Sequence, residues 1–269
     1  MNSVPSSPKA KSGLLLRVVS ALVMLPIAIF IILQGGTLYY LFVTLLTLLI
    51  LYEWNGICTG KAFNKAFVLQ AAFVLLLIYS MSYRHYFDSY VYLVSGAALV
   101  AAFLIFRINV KFALLGVFYA LLPALSLIWL RHSDGLIVLW MMIIVWSMDT
   151  GAYFAGKSIG GPKMSPRISP NKTWAGLIGG AVTAVVFGMI AAHYFNFDMQ
   201  MMYLIPATAG LAIWSQIGDL AESALKRHFD VKDSGALIPG HGGIMDRVDG
   251  IVFAAPAVAL SLYFFGAGA

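Results

Sequence analysis

Nine long apolar runs, each near the length of a membrane-spanning helix, are separated by short clusters of charge, glycine and proline. They cover about residues 14–33, 38–54, 66–82, 90–106, 112–130, 136–155, 175–195, 201–226 and 244–265. The runs are apolar all round, with none of the strict alternation that a membrane β-barrel strand requires. Connections between them are short, so no soluble domain is inserted. The pattern predicts an all-α integral membrane protein of about nine transmembrane helices. Residues 1–13, rich in Ser and Pro, are expected to form a disordered tail, and 14–269 a single transmembrane domain. Lys9, Lys11 and Arg17 ahead of the first run imitate a signal peptide. No small-x-small cleavage site follows near Gln34-Gly35-Gly36, and the run is read as a retained span.

Composition agrees: 61% of the residues are apolar and only 10% charged, with a mean hydropathy of +0.89. A soluble enzyme, a disordered chain and a nucleic-acid-binding domain are excluded, despite a pI of about 9.4. Cys58, the one cysteine, forbids an intrachain disulfide and a thiolate metal site. Charge also fixes an expected orientation. If the spans alternate, 15 of the 17 basic residues fall on the side of the N-terminus, leaving Arg84 and Arg131 opposite. By the positive-inside rule the N-terminus is cytoplasmic and the C-terminus faces outward.

Acids mark the chemistry. Asp88, Asp134 and Asp198 fall in outward loops. Glu53, Asp149, Asp219, Glu222, Asp230, Asp233, Asp246 and Asp249 lie in or beside segments on the cytoplasmic side, several of them within apolar runs. An acid in a span is costly unless paired, hydrated or bound to a cation. Asp219, Glu222 and Lys226 share one helical face by their spacing, as do Asp246 and Asp249 at the start of the last span. Carboxylates brought together from two helices need a cation between them. Oxygen donors without clustered His or Cys suit a hard ion such as Mg2+. Salt bridges to Lys226, Arg227 and Arg247 are the plainer account of the same acids.

Two loops frame them. Loop 156–176 carries Lys157, Lys163, Arg167 and Lys172 with no acid, plus glycines and hydroxyls whose backbone amides suit a polyphosphate. Its end, Ser169-Pro-Asn-Lys-Thr173, leads into a span, so its amides meet a positive helix end. A simple anchor to anionic headgroups is the alternative. Loop 227–243 ends in Pro239-Gly-His-Gly-Gly243, a tight turn directly before the paired carboxylates. His241 there suits a general base, a phosphate donor or a structural hydrogen bond. Spans within 14–130 thus read as scaffold, and those within 136–265 as the catalytic part. Gly179 and Gly180 read as close helix packing.

Residues 223–249 resemble the signature of the phosphatidate cytidylyltransferases, or CDP-diglyceride synthases. Ser223, Lys226, Arg227, Lys232, Asp233, Gly235, Pro239, His241, Gly242, Gly243, Asp246, Arg247 and Asp249 stand in register with it. Asp149–Lys157 and Ser169–Gly176 are similar to further family segments, and Glu53-Trp54 to a milder upstream feature. Ala175 departs, because relatives often carry Glu or Gln there. The resemblance is sharp over about 146–250 and rests on hydrophobicity alone over the first 130 residues.

The resemblance implies transfer of CMP from CTP to phosphatidic acid, giving CDP-diacylglycerol and pyrophosphate for phospholipid biosynthesis. It implies a bacterial inner-membrane enzyme with its site facing the cytoplasm, a homodimer, and no nucleic-acid partner. The expected metal ligands are Asp219 and Asp246, supported by Asp249 and Glu222, holding Mg2+ alone or with a second cation. Lys172, Lys226, Arg227, Lys232 and His241 are expected on phosphates, and Asp149 on a basic partner. Other expected substrate contacts are Lys157, Ser169, Thr173, Asp233, Gly242, Gly243 and Arg247. A CTP-dependent polyprenol or phytol kinase would release CDP instead. A secondary transporter would place its acids near the midplane and show repeats.

Overall fold

Each break between apolar runs holds a residue that stops one helix or starts the next. Asn109 accepts a hydrogen bond from Phe112 N, Asp134 from Leu136 N at 2.8 Å, and Thr173 from Gly176 N at 3.1 Å, each capping a helix start. Gly60 ends another helix in the left-handed conformation, φ 71°. The computed structural model describes residues 23, 25–82, 89–197, 200–235, 237 and 242–265. Its helices are α1 (Leu25–Gln34), α2 (Gly36–Thr59), α3 (Lys65–Ser82), α4 (Ser89–Ile105) and α5 (Val110–Ser133). They continue as α6 (Gly135–Ser158), α7 (Trp174–Tyr194), α8 (Met201–His228) and α9 (Met245–Phe265).

The helices match the nine expected segments within a few residues where described. Residues 14–22 and 24 of the first expected span lie outside the described residues. Five helices, α2, α5, α6, α7 and α9, are long and apolar enough to cross a bilayer, and the chain is an integral membrane protein. The apolar stretches of α1, α3 and α4 are shorter. The 28-residue α8 spends its last turns on Asp219, Glu222, Lys226 and Arg227, which dilutes its apolar character.

The architecture is all-α, with one small addition within loop 156–176. Lys163–Ser165 (β1) and Ser169–Thr173 (β2) form an antiparallel hairpin, with Lys163 opposite Thr173 and Ser165 opposite Ser169. Pro166 follows Ser165, whose carbonyl accepts from Ile168 N at 3.2 Å. A proline at the second position of such a turn presets its backbone, a local signal that hydropathy does not register.

Small residues draw α6 and α7 together. A Cβ on Gly180 would lie 2.7 Å from the Met148 carbonyl, and one on Gly176 2.9 Å from that of Ala152. Backbones this close exclude any side chain, which accounts for the glycines expected to serve packing. Buried polar bonds tie the earlier helices. Asn55 Nδ2 donates to Gln70 Oε1 (2.6 Å), Gln70 Nε2 to Ala113 O (2.7 Å), and Trp54 Nε1 to Phe112 O (2.9 Å). Together they fix α2, α3 and α5 around a core that includes Leu51, Val74 and Ala120. The end of α2 is held against the start of α9 by Glu53, which accepts from Ile244 N and Met245 N.

Candidate active site

The ends of α2, α6 and α8, the starts of α7 and α9, and the β-hairpin carry the polar residues that converge. Lys172, on β2, reaches α8 and places Nζ 2.6 Å from Asp219 Oδ2. Asp219 also accepts from Gln216 Nε2 (3.3 Å) and Ser223 Oγ (3.4 Å). The buried Lys172 ammonium makes no well-angled hydrogen bond among the described residues, so N–H groups remain for an added anion.

Two turns beyond Asp219 on α8, Lys226 clamps two acids. Its Nζ lies 3.2 Å from Glu222 Oε1 and also pairs with Asp246 Oδ1 across the α8–α9 seam. The Glu222 side chain is fully buried. Asp246 Oδ2 is held separately, by Ser234 Oγ (2.9 Å), Ser234 N (3.0 Å) and Gly243 N (3.1 Å). Gly242, at φ 83°, provides the left-handed turn that aims the following amide at Asp246.

Asp249 Oδ1 accepts from Gly250 N at 2.8 Å and lies in the field of Asp219, Glu222 and Asp149. Asp149 in turn feels Asp219, Lys172 and Arg247. Among the described residues, the carboxyl groups of Asp149, Asp219, Glu222, Asp246 and Asp249 thus outnumber the cations paired with or near them, Lys172, Lys226 and Arg247. Among the described residues, no three His, Cys, Asp or Glu side chains form a ready-made metal cage.

A cavity of about 700 Å³ adjoins this cluster. Its walls, from α1, α2, α5, α6 and α9, include Leu46, Ile50, Ala124, Met142 and Val252, and are overwhelmingly apolar. Asp149, Asp246, Arg247 and Asp249 line its polar end. Leu25, Ile27 and Leu45, which also line it, are exposed on the protein surface.

Other expected residues stand apart. Arg227 is exposed and donates from Nη1 to Val231 O (3.0 Å), within its own loop. Lys157 lies over the Tyr153 ring, 5.6 Å from its centroid. Thr173 is buried as the cap of α7, and Ser169 pairs within the hairpin. Lys232 and Asp233 are exposed. His241 lies outside the described residues.

Three further participants had no role assigned to them from the sequence. Glu53 and Ser234 are buried and bonded to the loop before α9. Tyr119, on α5, holds a buried hydroxyl without a hydrogen-bond partner among the described residues. It lies in the field of Glu222, Asp249, Asp219 and Asp246. Glu53 carried the signal that singled out Asp149, a charge inside an apolar run. Ser234 and Tyr119 carried none.

Carboxylates from three helices, α6, α8 and α9, and two lysines thus gather at the polar end of an apolar cavity in a membrane protein. Residues 15–265 match the model of the cytidylyltransferase family, and the chain belongs to that family. It is 38% identical over 269 residues to the phosphatidate cytidylyltransferase of Brucella suis biovar 1 (strain 1330), covering 95% of this chain and 94% of that protein. The phosphatidate cytidylyltransferase of Staphylococcus haemolyticus (strain JCSC1435) is 34% identical over 256 residues, covering 91% and 98%. That of Bacillus subtilis (strain 168) reaches 47% over 128 residues, 48% of each chain.

Proposed function

We propose that the protein transfers CMP from CTP to phosphatidic acid, forming CDP-diacylglycerol and pyrophosphate. The observation that carries this reading, beyond family membership, is the carboxylate–lysine cluster at the polar end of an apolar cavity. A diacyl lipid needs the cavity for its chains, and its phosphate then falls beside the acids and lysines. A lipid-phosphate oxygen, already anionic, attacks the α-phosphorus of CTP. The bond from that phosphorus to the oxygen bridging to the β-phosphate breaks, and pyrophosphate leaves. No strong protein base is required. Lys172, Lys226 and Arg247 neutralise the approaching anions, and Asp149 steadies Lys172 and Arg247.

The excess of carboxylate oxygens fits Mg2+, which is often held by one or two carboxylates plus substrate phosphates and not by an all-protein cage. Asp219 and Asp246 would hold it, with Asp249 and Glu222 supporting and a second cation accommodated. Bound there, it would supply charge neutralisation and alignment of the two phosphates. Nine passes with a cytoplasmic N-terminus, an outward C-terminus, a bacterial inner membrane and a homodimer complete the proposal. The basic-residue asymmetry supports the orientation.

Purified protein given CTP, phosphatidate and Mg2+ should release pyrophosphate and label lipid with CMP. Asp246→Asn and Lys226→Ala should each lose at least about 100-fold in turnover, the scale of a lost electrostatic contact. Release of CDP with γ-phosphate transfer, or near-normal turnover in both variants, would reject the reading.

A further inference from the structure

We infer that Glu53, with Ser234, is a positioning pair that sets the geometry of Asp246 from the opposite half of the chain. The inference rests on the cytidylyltransferase reading above. Glu53 lies near the end of α2, far from the motif loops in sequence, yet is only 2% exposed. A buried carboxylate in a span persists only if its charge is compensated. Here the compensation comes from backbone and hydroxyl donors. Glu53 Oε1 accepts from Ile244 N at 2.8 Å, and Oε2 from Met245 N and Ser234 Oγ, both at 2.8 Å.

Ile244 N and Met245 N are amides at the start of α9, where a helix leaves its donors unpaired. Glu53 is therefore a cap for α9 supplied by another helix, and its charge meets the positive end of the α9 dipole. Asp246 and Asp249 lie on the turn so fixed.

Ser234 carries the constraint onward. Its hydroxyl lies 2.8 Å from Glu53 Oε2 and 2.9 Å from Asp246 Oδ2. It has one proton for two carboxylates, so the two acids share a donor and their positions are coupled. Space around the pair is also closed: a Cβ on Gly235 would lie 2.9 Å from Glu53 Oε1. A side chain there would displace the carboxylate. Among the described residues, Glu53 makes no hydrogen bond or ion pair with Lys172 or Asp219. Its effect on the reaction passes through Ser234 and the first turn of α9.

Glu53→Gln keeps the shape but sets an amide NH2 against at least one of the donors. Turnover should fall about 10- to 100-fold, the scale of a sub-ångström misplacement of a reacting group, with KM for CTP and phosphatidate within about twofold. Ser234→Ala leaves Glu53 its two backbone donors and should fold normally, with kcat lower by about 3- to 10-fold, as for one lost hydrogen bond. The double variant should be little worse than Glu53→Gln alone, because both act through one bond network. Wild-type kcat in Ser234→Ala would overturn the inference. So would a Glu53→Gln loss explained wholly by a reduced folded fraction, or multiplicative effects in the double variant. Wild-type protein that forms no CDP-lipid in the same assay would instead overturn the parent reading, and this inference with it.

Discussion

Replacing Lys226 by Met tests whether the α8–α9 clamp is an obligatory charge pair. Lys226, Glu222 and Asp246 have side chains 11%, 0% and 13% exposed, so the pair is screened little by water. Met preserves most of the apolar stem and removes the ammonium. Asp246 keeps three donors on Oδ2, and the uncompensated charge is that of Glu222. Removing one partner of a buried pair costs about 3–5 kcal/mol. Taking the lower figure, the thermal midpoint in nanodiscs should fall by about 6–12 °C for a chain of this size. Lys226→Met with Glu222→Gln leaves no orphaned charge and should recover most of that loss. Turnover should stay absent in both variants, because Asp246 and the arriving phosphate still lack the ammonium. A single variant that melts with wild type, or a double variant no more stable than the single, would refute the reasoning.

Gly218→Ala would put a Cβ 2.7 Å from the Asp249 carbonyl. Backbone cannot swing aside, so α8 and α9 must separate, with turnover expected to drop about 10- to 100-fold; kinetics alongside a thermal melt checks it. Ala124→Trp fills the apolar cavity from a 2% exposed position. The KM for long-chain phosphatidate should rise at least about threefold with that for CTP unchanged, at a stability cost of about 1–3 kcal/mol; comparing short- and long-chain substrates measures it. Thr173→Ala removes the cap bonded to Gly176 N and should cost about 1 kcal/mol, read as faster hydrogen exchange at the amides opening α7.

The helices were legible because each is written locally. Asp134 and Asn109 sit where a helix begins, Gly60 where one ends, and the runs between them are apolar throughout. The clustering of Asp219, Glu222, Lys226, Asp246 and Asp249 was legible for a related reason: helical spacing places each set on one face before any fold is known. The hairpin was hidden because Ser165-Pro166 is a turn signal inside a loop already explained by its charge. Glu53 was visible as an anomaly but not in its role, since its partners Ser234 and Met245 lie at the far end of the chain. No periodicity links positions so distant. Thr173, expected on substrate, also serves the helix behind it, a role written in its place just before an apolar run: its hydroxyl oxygen accepts from Gly176 N.

The apolar cavity carries a consequence for selectivity. In the proposed reaction its walls meet only the fatty tails, which phosphatidic acid and the CDP-lipid have in common. Grip on the tails is therefore equal before and after the chemistry, and such uniform affinity holds a lipid in place without favouring conversion. Telling substrate from product falls to the charged rim, where a bulky cytidine must find room or be pushed out. A wider cavity would broaden the diet of the enzyme without quickening it. A narrower rim would speed the departure of the product.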